Sequence, residues 1–207
     1  MMRIEFLSTS PDRGGRYTVK FSNGTTLRLY RQTVEDYALY VGMEFSKEEF
    51  AAFQSAASRM SAKMRAVRTV AASSVSKAEL ERRLIYKGED PTHAKEAVSW
   101  MEEMHLVDDL QTARQIVNRC IAKGYGEARA KQALYEKRIP KAYWDDALQD
   151  YPDQEEHILD FLKNKLGTSR EQKDIHKATE ALIRRGFNYG QIRKALNALD
   201  LVDILEG

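Results

Sequence analysis

The sequence predicts a mainly α-helical protein, built of tandem helical repeats and preceded by a small strand-rich extension. Three observations support this. A glycine-centred pattern recurs three times, the apolar residues around each glycine have helical spacing, and strand-like alternation is confined to the first thirty residues. We expect an extension with a linking helix at 1–72 and three repeats at 73–108, 109–150 and 151–207.

Apolar and polar residues alternate in three short segments of the extension, 3–6, 17–21 and 25–30. Ser22-Asn23-Gly24 separates the last two segments and is a strong hairpin signal. We therefore expect three strands, two of which form a hairpin. Because so few short strands form only a marginal sheet, the sheet should pack on neighbouring helices.

Two helices are expected to follow the strands. The first is short and covers 33–41. Ser46 and Glu49 have the three-residue spacing of a capping box, which predicts a longer helix from 47 to about 70. The segment 55–74 is rich in Ala, Ser, Met and Arg, and we expect it to link the extension to the repeats.

The repeat is clearest when Gly88, Gly124 and Gly186 are aligned. Counted from the glycine, position −1 is basic, −3 is isoleucine, +6 and +10 are apolar, +7 is basic and +9 is alanine. Positions −8, −4 and −3 share one helix face, and so do +6, +9 and +10. Each repeat is therefore predicted as helix, glycine, helix, with the glycine in the left-handed conformation that ends the first helix. The columns from −3 to +10 hold Ile85, Ile121, Ile183; Lys87, Lys123, Arg185; Ala94, Ala130, Ile192; Lys95, Lys131, Arg193; Ala97, Ala133, Ala195; and Val98, Leu134, Leu196.

Start signals accompany the predicted repeat helices. Asp90-Pro91 supplies an N-cap and a proline at the first helical position, and Asn188 with Gln191 has capping-box spacing. Asp108-Asp109 precedes a helix at 110–123, so we interpret this pair as a cap and not as a metal site. Further helices are expected at 140–149, opened by Pro140, and near 156–166.

Composition limits the classes of protein that the chain can represent. It has 207 residues, with 43% hydrophobic and 31% charged residues, and contains no long apolar run, so no membrane span is expected. The only cysteine, Cys120, falls on an apolar helix face; this excludes an internal disulfide and favours a cytoplasmic location. Because each repeat uses its apolar face against its neighbours, we expect a monomer.

No catalytic constellation stands out in the sequence. There is no phosphate loop, and the four histidines are scattered without the spacing of metal ligands. We therefore predict a non-enzymatic protein with no cofactor and no metal. The histidines are His93, His105, His157 and His176.

Charge is distributed unevenly. Residues 1–72 hold 11 Lys+Arg and 7 Asp+Glu, whereas residues 73–207 hold 22 and 24. Any contact of the repeats with nucleic acid should therefore depend on a local basic stripe. Helix C-termini favour cations in any case, so a purely structural role stays open for each residue. The candidate partner-binding or DNA-binding residues are Lys123, Lys131, Lys137, Arg138, Arg184, Arg185, Arg193 and Lys194.

Several short motifs carry a family resemblance over about 75–205. They are Ser76-Lys77-Ala78-Glu79-Leu80, Leu106-Val107-Asp108-Asp109, Ala113-Arg114, Gly124, Lys137-Arg138-Ile139 and Arg184-Arg185-Gly186-Phe187 with Gln191-Ile192. With these motifs the chain resembles the RecX family of recombinase regulators. The resemblance implies tandem three-helix repeats in an elongated, curved array. The net acidic repeat region departs from the basic character of many relatives.

The same resemblance implies a function. The protein would bind the RecA filament on single-stranded DNA and restrain its ATPase and strand exchange, without a cofactor. Such a modulator would regulate DNA repair, homologous recombination and the SOS response, with single-stranded DNA as a possible direct ligand. Two alternatives remain open: a stand-alone DNA-binding protein and a general helical-repeat scaffold for protein interactions.

Overall fold

A computed structural model describes residues 1–202 of the chain. The contacts within it divide the chain into two compact units, Met1–Val107 and Asp108–Gly207. Both units are mainly helical, and the first also contains the sheet. No helix within residues 1–202 is both long enough and apolar enough to cross a membrane.

The first unit begins with an antiparallel sheet in the order β3-β2-β1-β4. The three predicted strands are confirmed, and Gly24 at the hairpin has a φ of +82°, as its turn requires. The fourth strand, only two residues long, was not predicted. The strands are β1 Met2–Leu7, β2 Arg16–Phe21, β3 Thr26–Tyr30 and β4 Glu44–Phe45.

Two helices accompany the sheet, α1 Arg31–Asp36 and α2 Lys47–Ala72. The prediction of a helix over 33–41 was wrong in its bounds, because the chain turns after Asp36 and Ala38 has a φ of +44°. The capping box of Ser46 and Glu49 is present at the start of α2. The N-terminal half of α2 packs on the sheet, where Phe50 meets Phe21 edge to face with ring centroids 4.9 Å apart.

The C-terminal half of α2 forms a three-helix group with α3 Lys77–Tyr86 and α4 Pro91–Glu103. Ala62 and Ala66 of α2 are fully buried in this group, as is Ala97 at the repeated alanine position of α4. Small side chains at these contacts allow the helix backbones to approach closely. The segment that we expected to link the extension to the repeats thus contributes a packed helix to the first group.

The second unit contains two further three-helix groups, each with its own buried apolar cluster. Pro140 precedes a 3₁₀ turn at Lys141–Tyr143, so the expected helix over 140–149 is shorter than predicted. The helix expected near 156–166 is confirmed as α8. The elements are α5 Asp109–Ala122, α6 Glu127–Glu136 and α7 Trp144–Leu148, followed by α8 Gln154–Leu166, α9 Gln172–Arg184 and α10 Tyr189–Asn197.

The three aligned glycines end α3, α5 and α9 as predicted. Their φ values are +87° at Gly88, +63° at Gly124 and +88° at Gly186. Each glycine N–H donates to the carbonyl three residues back, and the next N–H donates to the carbonyl five residues back. This is the Schellman arrangement, which satisfies the free carbonyls at a helix end.

The helices that follow the aligned glycines, α4, α6 and α10, end in the same arrangement without glycine. His105, Arg138 and Asp200 have φ values of +54°, +56° and +55°, and the hydrogen bonds repeat the glycine pattern. These glycine-free helix ends were not predicted from the sequence. The prediction for the −3 position was also wrong in part, because Ile85 and Ile183 are 40% and 49% exposed. One helical step of about 100° separates them from the buried −4 residues and moves them to the rim of the apolar face.

Candidate functional site

The turn that ends α5 packs directly on the turn that ends α9. The Gly126 N–H donates to the Arg185 carbonyl oxygen over 2.8 Å. A Cβ atom on Gly126 would lie 2.6 Å from the Gly186 carbonyl carbon, closer than Cβ atoms come to any neighbour. A Cβ atom on Gly186 would in turn lie 2.6 Å from the Arg129 nitrogen. Two backbones therefore meet here, and the contact brings the cations at the two helix ends to one place.

These helix ends and α8 border a cleft of about 270 Å³, which we call the α8 cleft. Its lining includes Lys123 and Arg185, which occupy the equivalent −1 positions of two repeats. Because each residue caps a helix C-terminus, the helix dipole favours its positive charge. The lining is completed by Gly124, His157, Asp160, Phe161, Asn164 and Phe187.

Aromatic rings hold the two cations of the α8 cleft in place. The Arg185 guanidinium carbon lies 4.6 Å from the centroid of the Phe161 ring, and the Lys123 Nζ lies 6.0 Å from that of Tyr125. His157 stacks on Phe187 with ring centroids 6.3 Å apart. The cleft thus offers two cations and planar rings, beside the carboxylate of Asp160. Acidic side chains or phosphates are the groups that such a surface attracts.

Three other predicted residues form ion pairs on the surface of the second unit. Surface pairs of this kind contribute little to stability, so the side chains can exchange partners readily. The pairs are Lys131 with Glu127 at 2.5 Å, Arg184 with Glu180 at 3.5 Å and Lys194 with Glu155 at 3.5 Å.

The predicted residues also border two other depressions. Arg193 and Lys194 line one on α10, together with Gly190. Arg138, in its left-handed conformation, lines another beside Trp144. Lys137 caps the end of α6. The structure therefore brings Lys123 and Arg185 together in one cleft, while the other candidates occupy other parts of the second unit.

Sequence reasoning missed the contribution of α8 to the cleft. This helix lies outside the aligned repeat columns, and its His157 and Phe161 were not among the predicted site residues. The signal that could have found it was the extra length between Gly124 and Gly186, because an inserted helix must pack near the elements that it separates.

The buried Cys120 and the partly buried Tyr151 belong to the apolar cluster of the α5–α7 group. Burial raises the pKa of the Cys120 thiol, against the opposing effect of nearby Lys123. Burial also raises the pKa of Tyr151 to about 12, and its hydroxyl donates to the Tyr125 carbonyl oxygen over 2.8 Å. A thiol that resists ionisation is a poor nucleophile. Within residues 1–202, no group of His, Cys, Asp and Glu side chains could hold a metal ion.

Three-helix groups with glycine-capped helix ends define a helical-repeat protein. The model of the second three-helix domain of RecX matches residues 108–148. Regulatory protein RecX of Vibrio cholerae O395 is 32% identical over 124 residues, which cover 58% of this chain and 81% of the relative. Regulatory protein RecX of Vibrio parahaemolyticus is 28% identical over 125 residues, which cover 59% of this chain and 81% of the relative. The chain belongs to the RecX family.

Solved structures agree in fold. A crystal structure of regulatory protein RecX superposes with a TM-score of 0.64 at 18% identity, covering 95% of this chain and all of that one. RecX from Lactobacillus salivarius superposes with a TM-score of 0.60 at 22% identity, covering 70% of this chain and 99% of that one. At these identities the likeness establishes the shared fold.

Proposed function

We propose that this protein is a non-enzymatic modulator of the RecA recombinase. It binds the RecA filament on single-stranded DNA and restrains ATP hydrolysis and strand exchange, thereby regulating repair by homologous recombination. It acts as a cytoplasmic monomer. The observation that carries this proposal is the relation to regulatory protein RecX over 81% of the length of the Vibrio cholerae relative.

The α8 cleft is our candidate contact with the filament. Lys123 and Arg185 present two positive charges in the cleft. Arg184, which precedes Arg185 in the chain, is 70% exposed outside the cleft lining, where it pairs with Glu180. The protein of the filament exposes carboxylates and its DNA exposes phosphates. Either group would pair with these cations. Arg193 and Lys194 on α10 would widen the contact.

Charge balance favours the filament over DNA alone as the partner. Residues 73–207 hold 22 Lys+Arg and 24 Asp+Glu, so the repeats lack the net positive charge that drives non-specific DNA binding. A local cationic surface can still add affinity and orientation where a protein partner supplies the remaining contacts. Tight, salt-sensitive binding to bare single-stranded DNA, with no effect on the recombinase, would support the stand-alone DNA-binding alternative.

The test is the DNA-dependent ATPase rate of RecA on preformed filaments, titrated with this protein. We expect inhibition at fewer copies of this protein than of recombinase. The double variant Lys123→Glu, Arg184→Glu should need an about tenfold higher concentration, equivalent to about 1.4 kcal/mol of binding energy. Arg185 is left intact because its side chain packs on Phe161.

Arg28→Glu serves as a control for charge reversal at a single exposed cation. Arg28 is an exposed cation on β3 of the first unit, and its variant should inhibit like the unchanged protein. If both proteins are folded and the double variant inhibits fully, the α8 cleft is not the contact. If the unchanged protein leaves the ATPase rate unaltered on intact filaments, the proposed function is wrong.

A further inference from the structure

A second cationic cleft, of about 380 Å³, lies within the first unit between the sheet, α2 and the C-terminal end of α3. We call it the α2–α3 cleft. Five cations line it and, within residues 1–202, no acidic residue does, although these elements come from separate parts of the chain. The cations are Arg16, Arg65, Arg68, Arg83 and Lys87.

Carboxylates behind the lining hold three of the arginines. Glu79 and Glu89 are nearly buried, with 8% and 6% of their side chains exposed. Glu79 accepts from both Arg82 and Arg83, and Glu89 accepts from Arg65. Glu89 also accepts a hydrogen bond from the Ser61 hydroxyl over 3.0 Å. The three ion pairs are Arg16–Asp12 at 3.2 Å, Arg65–Glu89 at 2.7 Å and Arg83–Glu79 at 2.7 Å.

The other two cations have no carboxylate partner within residues 1–202. The Arg68 guanidinium donates to the Gly14 carbonyl oxygen over 2.6 Å and lies 5.2 Å from the centroid of the Tyr30 ring. Lys87 caps α3 with an exposed side chain, and its carbonyl oxygen accepts from Arg65. Within residues 1–202, the five lining cations thus face three carboxylates, one of which, Glu79, is shared with Arg82 outside the lining. Two positive charges of the lining are therefore left without a carboxylate.

We propose that the α2–α3 cleft binds a phosphate group, either of a nucleic-acid backbone or of a free phosphate compound. The planar forks of Arg65, Arg68 and Arg83 match the geometry of phosphate oxygens, and Lys87 adds a mobile point charge. A bound phosphate neutralises the two uncompensated charges. It also relieves the repulsion among cations that are held together by the fold.

The position of Lys87 gives this inference independent support. Lys87 precedes Gly88 just as Lys123 precedes Gly124 and Arg185 precedes Gly186. In the second unit the equivalent cations line the α8 cleft, and in the first unit Lys87 lines the α2–α3 cleft. The helix-end cation thus borders a cleft in each unit. The inference needs no recombinase, and it stands or fails separately from the proposed function.

The test uses the full chain, a fluorescein-labelled oligothymidylate and inorganic phosphate. Lys87→Gln removes the exposed cation. Arg83→Gln is a second variant, which removes the lining arginine that pairs with Glu79. Arg31→Gln is the matched control, because Arg31 is 75% exposed, pairs with Glu35 and lies outside the cleft. Thermal unfolding confirms that each variant is folded.

We expect inorganic phosphate to shift the Nε–Hε resonances of Arg65, Arg68 and Arg83 in the unchanged protein, and less so in Lys87→Gln. If the source is a nucleic-acid backbone, oligothymidylate affinity falls about tenfold in Lys87→Gln. Its salt-dependence slope then falls by about 0.7 per lost contact, with Arg31→Gln unchanged.

If oligothymidylate affinity is the same in Lys87→Gln and Arg31→Gln while phosphate still shifts the arginine resonances, the source is a free phosphate compound. If phosphate shifts none of the three resonances and the oligothymidylate affinities of all variants agree, the proposal is overturned. Inhibition of the recombinase is measured separately, and its outcome does not alter either result.

Discussion

Two glycines with the same backbone role differ in what surrounds them. Gly88 and Gly186 both end a first helix, with φ values of +87° and +88°. A Cβ atom on Gly88 meets no atom within 4 Å, whereas one on Gly186 lies 2.6 Å from the backbone nitrogen of Arg129. The substitutions Gly88→Ala and Gly186→Ala therefore share the conformational penalty and differ only in the packing penalty.

The expected magnitudes follow from this difference. A left-handed alanine costs about 1 kcal/mol at either site. At Gly186 the added methyl also overpacks a backbone contact, which costs about 1–3 kcal/mol. It further weakens the adjacent hydrogen bond from Gly126 to Arg185, worth about 1 kcal/mol. We expect a loss of about 1 kcal/mol for Gly88→Ala and about 3–5 kcal/mol for Gly186→Ala.

The assay is urea unfolding followed by tryptophan fluorescence, read separately for each unit. The chain has two tryptophans, Trp100 in the first unit and Trp144 in the second. Gly88→Ala is therefore measured in a Trp144→Phe background and Gly186→Ala in a Trp100→Phe background, each against its own parent. Equal losses at the two glycines would refute the packing argument and leave only the conformational penalty.

Three further predictions concern single side chains. Hydrogen bonds from Arg82 and, to a smaller extent, Arg83 lower the Glu79 pKa from 4.5 to about 2. The stabilising effect of the Glu79 carboxylate is therefore present above pH 4.5 and lost as the pH falls towards 2. Glu79→Gln should flatten the acid unfolding profile of the first unit over that range. Tyr151→Phe removes the hydrogen bond to the Tyr125 carbonyl and should destabilise the second unit by about 1 kcal/mol in urea unfolding. Because burial raises its pKa, Cys120 should react slowly with a thiol reagent in the folded protein and rapidly in urea.

Much of the fold could be predicted because its determinants are local. A glycine after an amphipathic run specifies a helix end through the conformation of one residue, and Gly88, Gly124 and Gly186 all adopt it. Capping residues such as Asn188 act within one helical turn, so the helix starts could also be predicted from the sequence. The left-handed conformation of Arg138 could not be predicted, because arginine has no preference for that conformation.

The candidate site was only partly predictable because its geometry is non-local. Lys123 and Arg185 are 62 residues apart in sequence, and aligned repeat positions need not be close in space. Their meeting depends on the contact of Gly126 with the turn at Gly186, which follows from packing and not from either local pattern. The aromatic support of Phe161 comes from a helix outside the repeat columns.

The helix-end cations show why repetition alone cannot separate folding from function. Every first helix of a repeat ends in a carbonyl-rich C-terminus, and a cation there is favourable whatever the protein does. Lys87, Lys123 and Arg185 satisfy that requirement equally, but what surrounds them differs. Arg185 is half-buried and stacked on an aromatic ring, while Lys87 is exposed beside four arginines. A shared folding requirement accounts for a cation at each helix end, so a binding role is indicated by the different surroundings of these cations and not by their repetition.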